Sequence, residues 1–358
     1  MAGTAVANGS SLNPTQVAEK VIAHYAERDN FWKKFEGEGP DAIIQVRRDL
    51  AKKKGDTLKV HIFGQLAGQG TTGDGTLEGN EESITPYSQS VLIDQMRHGT
   101  RISGAMTDQR SAIELRKEHS IQLGMWQGNW QCEATSVYVA GVRGTRTGRI
   151  LPTSWTGFAG NSLQASDSGH TLWAGSAATE AGLASTDKMS AALLDKMNAK
   201  VELLANSDAM RFRKEGGEDF RPLVMGVEQW YDLQQDPDWN AAQQQAGARG
   251  ESNPLFTGSK GKWKGLTIFV DPFGALVTNG AGGSNYAKAH VLGCQAIIKA
   301  YGGETGASGD GRFRYVEKTF DYENQVGFAC RATLGWIKTY LNSKNFGIFA
   351  LNTAYTSI

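Results

Sequence analysis

No excess of either charge marks this chain: lysine plus arginine and aspartate plus glutamate both number 37, for a formal net charge of zero over 358 residues. A dedicated nucleic-acid binder is usually basic on balance, so that class is disfavoured, and copies of the chain do not repel one another through net charge. Cysteine is scarce. Cys132, Cys294 and Cys330 are far apart, odd in number and contain no C-x-x-C pair, which argues against a disulfide framework or a zinc site and for three idle thiols in a reducing compartment. Proline is low at 8 residues while glycine is high at 44, a balance of many bends without a proline-rich disordered chain. No apolar run approaches the ~18 residues that would suggest a transmembrane helix. No basic segment followed by an apolar run opens the chain, so synthesis in a cytoplasm is expected.

What is present reads as an elongated α+β protein. Residues 1–13 are small and polar and read as an arm, followed by a helical pattern from Asn13-Pro14-Thr15 (Val17, Val21, Ile22, Tyr25). A basic turn, Lys52-Lys53-Lys54, leads to a strand over 57–64, and a second extended run returns over 84–98 (Ile84, Tyr87, Val91, Ile93, Met96). Between them, 65–83 is glycine-rich with few bulky apolar residues, a long loop carried on two strands. From Thr107-Asp108 to about 142 there is no proline, and Leu115, His119, Leu123, Trp126, Trp130, Ala134 and Val137 recur at three or four. That spacing predicts one helix of roughly 30 residues, about 45–50 Å long. Residues 141–183 read as an irregular excursion, and Ser185-Thr186-Asp187 as the cap of a helix to about 206. A compact α/β pattern follows from 216: a strand at 221–225, a short helix from Val227, a strand at 263–270, and a helix over 286–301. Val326, Phe328, Cys330, Ala332, Leu334 and Trp336 alternate with period two, which predicts a strand with one buried face. Phe346, Ile348 and Ala350 continue the alternation after a turn at 342–344, so an antiparallel closing pair is expected.

Enzymatic motifs fail on inspection. Gly68-Gln69-Gly70-Thr71-Thr72-Gly73 is a literal G-x-G-x-x-G after a strand, with Asp94 about twenty residues on. A dinucleotide site needs a helix to start there, whereas 74–82 carries two more glycines and the acids Asp74, Glu78, Glu81 and Glu82, which would repel a phosphate. The fragment 258–262 lacks Walker A spacing because Trp263 follows the lysine, and no G-x-S-x-G occurs. Asp167-Ser168-Gly169-His170 strings an acid, a hydroxyl and an imidazole along a loop, a coincidence rather than a triad. His61 and His98 read as a polar pair across the two extended runs, without a third metal ligand. His119 reads as a core or interface histidine. No catalytic, cofactor or metal residue is therefore expected, and the protein reads as a non-enzyme.

The runs Lys53-Lys54-Gly55-Asp56-Thr57-Leu58, Gly73-Asp74-Gly75-Thr76-Leu77-Glu78-Gly79-Asn80-Glu81-Glu82, Ile93-Asp94-Gln95-Met96-Arg97-His98 and Met106-Thr107-Asp108-Gln109-Arg110-Ser111 resemble the major capsid proteins of N4-like tailed phages. The fold of that family is the Hong Kong 97 type. The resemblance implies an N-terminal arm over 1–50, an extended E-loop over 51–100, a peripheral domain over 101–215 with a spine helix at about 107–142, an axial domain over 216–311, and return strands of the peripheral domain over 312–358. It further implies hexamers and pentamers of an icosahedral head enclosing double-stranded DNA, contacted without sequence preference. Scaffolding, portal and decoration proteins are the expected partners, with no membrane; assembly is expected in the host cytoplasm and residence in the virion.

A flap hinged on two strands bears on a neighbour, so the tip residues Gly73, Asp74, Glu78, Glu81 and Glu82 are the expected intersubunit contact. Arg110, Arg116 and Lys117 on the next subunit are its expected docking partners. The tip holds no lysine, which excludes a lysine-mediated cross-link from it. An encapsulin-like nanocompartment shell is the alternative within the fold, and a glycine-loop nucleotide-binding enzyme the alternative outside it.

Overall fold

A computed structural model describes residues 14–28, 30–50, 55–63, 66, 68–84, 86–206, 210–246, 260–303, 313–341 and 344–358. The arm at 1–13, the basic turn at 52–54, residues 258–259 and the turn at 342–343 lie outside the described residues.

Two sheets organise the chain. In the first, Gln325–Lys338 is the central strand. One of its edges holds Asp94–Ile102, paired from Val326↔Ile102 to Leu334↔Asp94. Its other edge is shared by Arg314–Phe320, opposite 325–331, and Ile297–Gly302, opposite 333–338. Ile44–Leu50 extends the sheet in parallel beyond 297–302. The predicted alternation is real: Phe328, Cys330, Ala332, Leu334 and Trp336 are buried on one face, as period two requires.

That inner face packs on the helix Leu115–Ala140, 26 residues and about 39 Å long. Trp130 and Trp336 meet edge to face at 5.3 Å, and Tyr138 stacks on Trp336 at 6.1 Å, geometries that add about 0.5–1.5 kcal/mol each beyond area burial. Gly141, at φ 69, ends the helix in the left-handed region. The first helix, Pro14–Arg28, crosses the long one at Gly124 and Gly128. A Cβ on Gly128 would stand 2.8 Å from the Ala26 carbonyl oxygen, so only glycine admits this backbone approach. Residues 14–28 are thus docked on their own chain.

The second sheet runs in the order Lys262–Trp263, Leu266–Asp271, Glu218–Gly226, Tyr286–Leu292, Ile348–Ala354, Thr171–Trp173. Its core joins Leu223, Val291, Phe349 and Leu351 to Leu194, Met197 and Val201 of the helix Ala191–Asn206.

Several sequence expectations are corrected here. The helix expected at 107–142 is two: Ala105–Arg110 and Leu115–Ala140. The Ser111 hydroxyl accepts from the Ile113 N–H at 3.1 Å, a local side-chain bond that competes with the helix ladder. The helix expected at 286–301 is two strands in different sheets, Tyr286–Leu292 and Ile297–Gly302, with every residue buried. When both faces are covered the apolar residues carry no period, and a buried strand mimics a helix. The closing antiparallel pair is confined to Tyr340–Leu341 and Lys344–Asn345, and the longer strands on either side of it part. Strand 348–354 pairs with 286–292 and 171–173 in the second sheet, while 325–338 stays in the first. The boundary expected at 311 therefore does not separate the sheets: 297–302 lies in the first sheet and 348–354 in the second. The helix expected from 185 begins at Ala191, whose N–H donates to Asp236. Lys264 and Gly265, at φ 42 and 91, fold the strand expected at 263–270 into a hairpin. The helix Pro237–Ala246 was not foreseen.

Candidate functional site

The long loop stands on a two-stranded ribbon. Thr57–Phe63 and Pro86–Leu92 pair antiparallel from Thr57↔Leu92 to Phe63↔Pro86. Leu58, Val60 and Ile62 alternate inward with Val91 and pack on Ile298, Ala300 and Ile337. These three sit on the outer face of the first sheet, opposite the long helix. Two amides anchor the ribbon. Gln89 donates to the Lys338 carbonyl at 2.9 Å and accepts from the Tyr340 N–H at 3.1 Å. Asn161 accepts from the Leu92 N–H at 3.0 Å and donates to the Leu92 carbonyl at 2.7 Å. Sequence reasoning missed both anchors, because each partner lies tens to hundreds of residues away.

Beyond the ribbon the chain leaves the body. Every described residue from 66 to 84 is exposed, and no helix forms there, so the glycine motif has no anion-binding helix behind it. Gly73 and Gly79 take φ 62 and 88, conformations that glycine adopts without strain. Two of the predicted contact acids hold the loop itself. Glu82 accepts the Gly68 N–H at 2.7 Å, and Glu81 accepts the Gly79 N–H at 2.7 Å. Asp74 and Glu78 make no hydrogen bond or ion pair among the described residues. Leu66, Leu77 and Ile84 are each 59% exposed, so the tip presents acid and apolar groups together.

Of the expected partner residues, expected together on one helix, Arg116 and Lys117 lie in the first turn of the long helix, whereas Arg110 ends the short helix Ala105–Arg110 before it. Arg110 and Lys117 are exposed. Arg116 forks onto Glu317 of its own chain, with Nε to Oε1 at 3.0 Å and a second bond from Nη2 to Oε2. Its guanidinium is held above its ordinary range, first by the hydrogen bond to Glu317.

The other candidates are structural. His61 pairs with Ser88, whereas His98 pairs with Cys330 and stacks on Trp126 at 4.1 Å. The two histidines are not cross-strand neighbours, because the returning run breaks at Ile93 and its halves enter different sheets. Asp167 binds His170 Nδ1 at 2.9 Å and accepts the Asn345 N–H at 2.7 Å. Burial alone would raise this carboxyl, but those hydrogen bonds hold it below its usual range; the pair closes a turn. His119 stacks on Phe328 at 5.3 Å. All three cysteines are buried, and burial pushes the Cys132 and Cys330 thiols up to about 12. Among the described residues no cluster of three or more His, Cys, Asp or Glu is placed to hold a metal ion, and no helix is long and apolar enough to cross a membrane.

Comparison with known proteins returns one theme. The family model described as phage capsid protein matches residues 5–357. The major capsid protein of Pseudomonas phage KPP25 is 28% identical over 329 residues, covering 87% of this chain and 86% of that protein. The capsid of Ralstonia phage GP4 superposes with a TM-score of 0.82 at 30% identity, covering 92% of each chain. The capsid asymmetric unit of cyanophage Pam1 shares the fold, with a TM-score of 0.73 at 21% identity, over 92% of this chain and 93% of that one.

Proposed function

The chain belongs to the phage capsid protein family, as a major capsid protein of the Hong Kong 97-type fold and a structural subunit of a tailed phage's icosahedral shell, and on that premise we propose how its parts meet their neighbours. The ribbon 57–63/86–92 acts as the E-loop, and its tip bears on the next subunit within hexamers and pentamers. The helix 115–140 and first sheet act as the peripheral domain. The second sheet with its helices acts as the axial domain that gathers around the five- and six-fold positions. Scaffolding and portal proteins, and a decoration protein, engage the shell during assembly in the host cytoplasm. The finished shell holds double-stranded DNA without sequence recognition.

One observation carries this account: a firmly anchored ribbon ends in a tip whose described residues are all exposed. Exposed residues 66–84 hold four acids, three large apolar side chains and no lysine or arginine. Such a surface is completed by a neighbouring copy. Each ion pair there contributes only about 0.2–1 kcal/mol, but the contact repeats at every subunit. Asp74→Lys with Glu78→Lys tests it, because neither acid supports the loop internally. Loss of closed particles in electron micrographs, with soluble subunits retained, is expected; normal particle yield overturns the docking of the tip.

A further inference from the structure

The two sheets meet through a seam of bases. Lys338 ends the central strand of the first sheet, two residues beyond Trp336, and so lies on the same inner face. Its Nζ reaches the Ser166 hydroxyl at 3.0 Å and the Gln164 carbonyl at 3.4 Å. That turn, 164–170, runs directly into Thr171–Trp173, the edge strand of the second sheet. Lys288 and His290 stand on Tyr286–Leu292, on the face they share with Leu292. Leu292 packs in the core around the long helix, whereas Ala289 and Val291 pack in the second core, so both bases face the first sheet. Lys288 Nζ donates to the carbonyl of Ala140, the last residue of the long helix, at 3.2 Å. Lys338, His290 and Lys288 are only 1%, 4% and 9% exposed.

Little negative charge answers them. Lys338 and Lys288 spend their hydrogen bonds on carbonyl and hydroxyl oxygens, and His290 Nε2 has no partner among the described residues. Asp167, the acid that acts on Lys338, is already bound to His170 Nδ1 at 2.9 Å and to the Asn345 N–H at 2.7 Å. Glu180 is the acid that acts on Lys288. Asp271 lines a small cavity with Lys288 and His290 and accepts the Phe273 N–H at 2.9 Å. The Asn345 amide, His170 Nε2 and the Oδ1 of Asn352, which is paired opposite Lys288, are also without partners among the described residues.

Burying an unpaired charge is costly, so bases in such a place favour the neutral form. Burial first, and then Lys288, brings Lys338 down from 10.5 to about 7. Burial brings Lys288 down to about 8, and burial with both lysines holds His290 well below 6.5.

We propose that these three bases make a proton-sensitive clasp between the two sheets. Neutral, they let the turn 164–170 close over the strand end at Lys338; each proton taken up drives the turn off. A base lowered in the fold stabilises most above its unfolded value, and its contribution is lost as pH falls to the folded one. For Lys338 that window runs from 10.5 down to about 7. His290, and Asp271, which burial pushes up to about 6, act only below it.

Amide exchange in the full chain, corrected for the intrinsic rate, tests the clasp between pH 7 and 8.5. Protection over 164–173 should rise roughly tenfold or more, the change expected when opening takes up about one proton across that range. Lys338→Met keeps the length of the side chain and removes the titration, so its protection there should stay level. At pH 7 the parent should also be less protected over 164–173 than over 123–137 of the long helix, since the clasp opens without unfolding the rest. Protection over 164–173 that ignores pH in the parent, or that rises as much in Lys338→Met, overturns the clasp. So does equal protection of the two segments. If Lys338→Met does not fold, carbon-13 lysine spectra of the parent decide: a lysine titrating at about 7 supports the clasp, and all lysines titrating near 10.5 overturn it.

Discussion

Gly335 lies directly beneath Leu92: a Cβ built on the glycine would overlap the leucine carbonyl oxygen. Gly335 is on the central strand of the first sheet and Leu92 ends the returning strand of the ribbon. The ribbon base therefore rests on bare backbone. Gly335→Ala should lift it, at a cost of about 1–3 kcal/mol for a methyl forced into a close contact. Thermal unfolding of the purified subunit checks the cost, and particle yield should fall with it. An unchanged melting temperature contradicts so close a seating.

Glu82 closes the tip by accepting the Gly68 N–H across fourteen residues. Glu82→Ala should open the loop, losing about 0.5–1.5 kcal/mol of local order. Faster proteolysis within 66–84 is the expected readout. Glu82→Gln keeps an acceptor oxygen and should be cut nearly as slowly as the parent. Equal cleavage of all three forms would mean that the bond does not shape the tip.

Lys299 is buried with Glu36, Nζ to Oε1 at 2.5 Å, and Gln131 Oε1 at 2.9 Å. Burial alone would raise the Glu36 carboxyl, but the Lys299 ammonium outweighs it and holds it below its ordinary 4.5. Burial likewise works against the charged Lys299, and Glu36 reverses the effect, holding it above 10.5. A carboxyl depressed in the fold lends stability above its unfolded value, lost as pH falls through the folded one. A lysine raised in the fold lends stability below its unfolded value, lost as pH rises through the folded one. Glu36→Gln should therefore cost about 3–5 kcal/mol at neutral pH by stranding a buried ammonium. The gap from the parent should narrow below the ordinary carboxylate range. A gap independent of pH from 7 down to 3, measured by denaturant titration, contradicts the pair.

Much of the layout was legible in the sequence, for local reasons. The ribbon shows as two extended runs around a glycine-rich loop, and strand 325–338 shows because one face is buried and the other is not. The long helix shows through its apolar recurrence, but its break shows only as Ser111 binding its own backbone. Strands 286–292 and 297–302 were hidden because burial on both faces erases period. Strand 348–354 was placed in the wrong sheet because its partners lie far off in the chain, at 171–173 and 286–292. The tip acids were legible as charge; that Glu81 and Glu82 bind the loop itself was not.

The central claim is that residues 66–84 are uncovered in the single chain and covered in the shell. Hydrogen exchange over that segment, compared between unassembled subunits and closed particles, measures it directly. Backbone amides there should exchange freely in the subunit and become strongly protected in the particle. Equally fast exchange in both states would contradict the account.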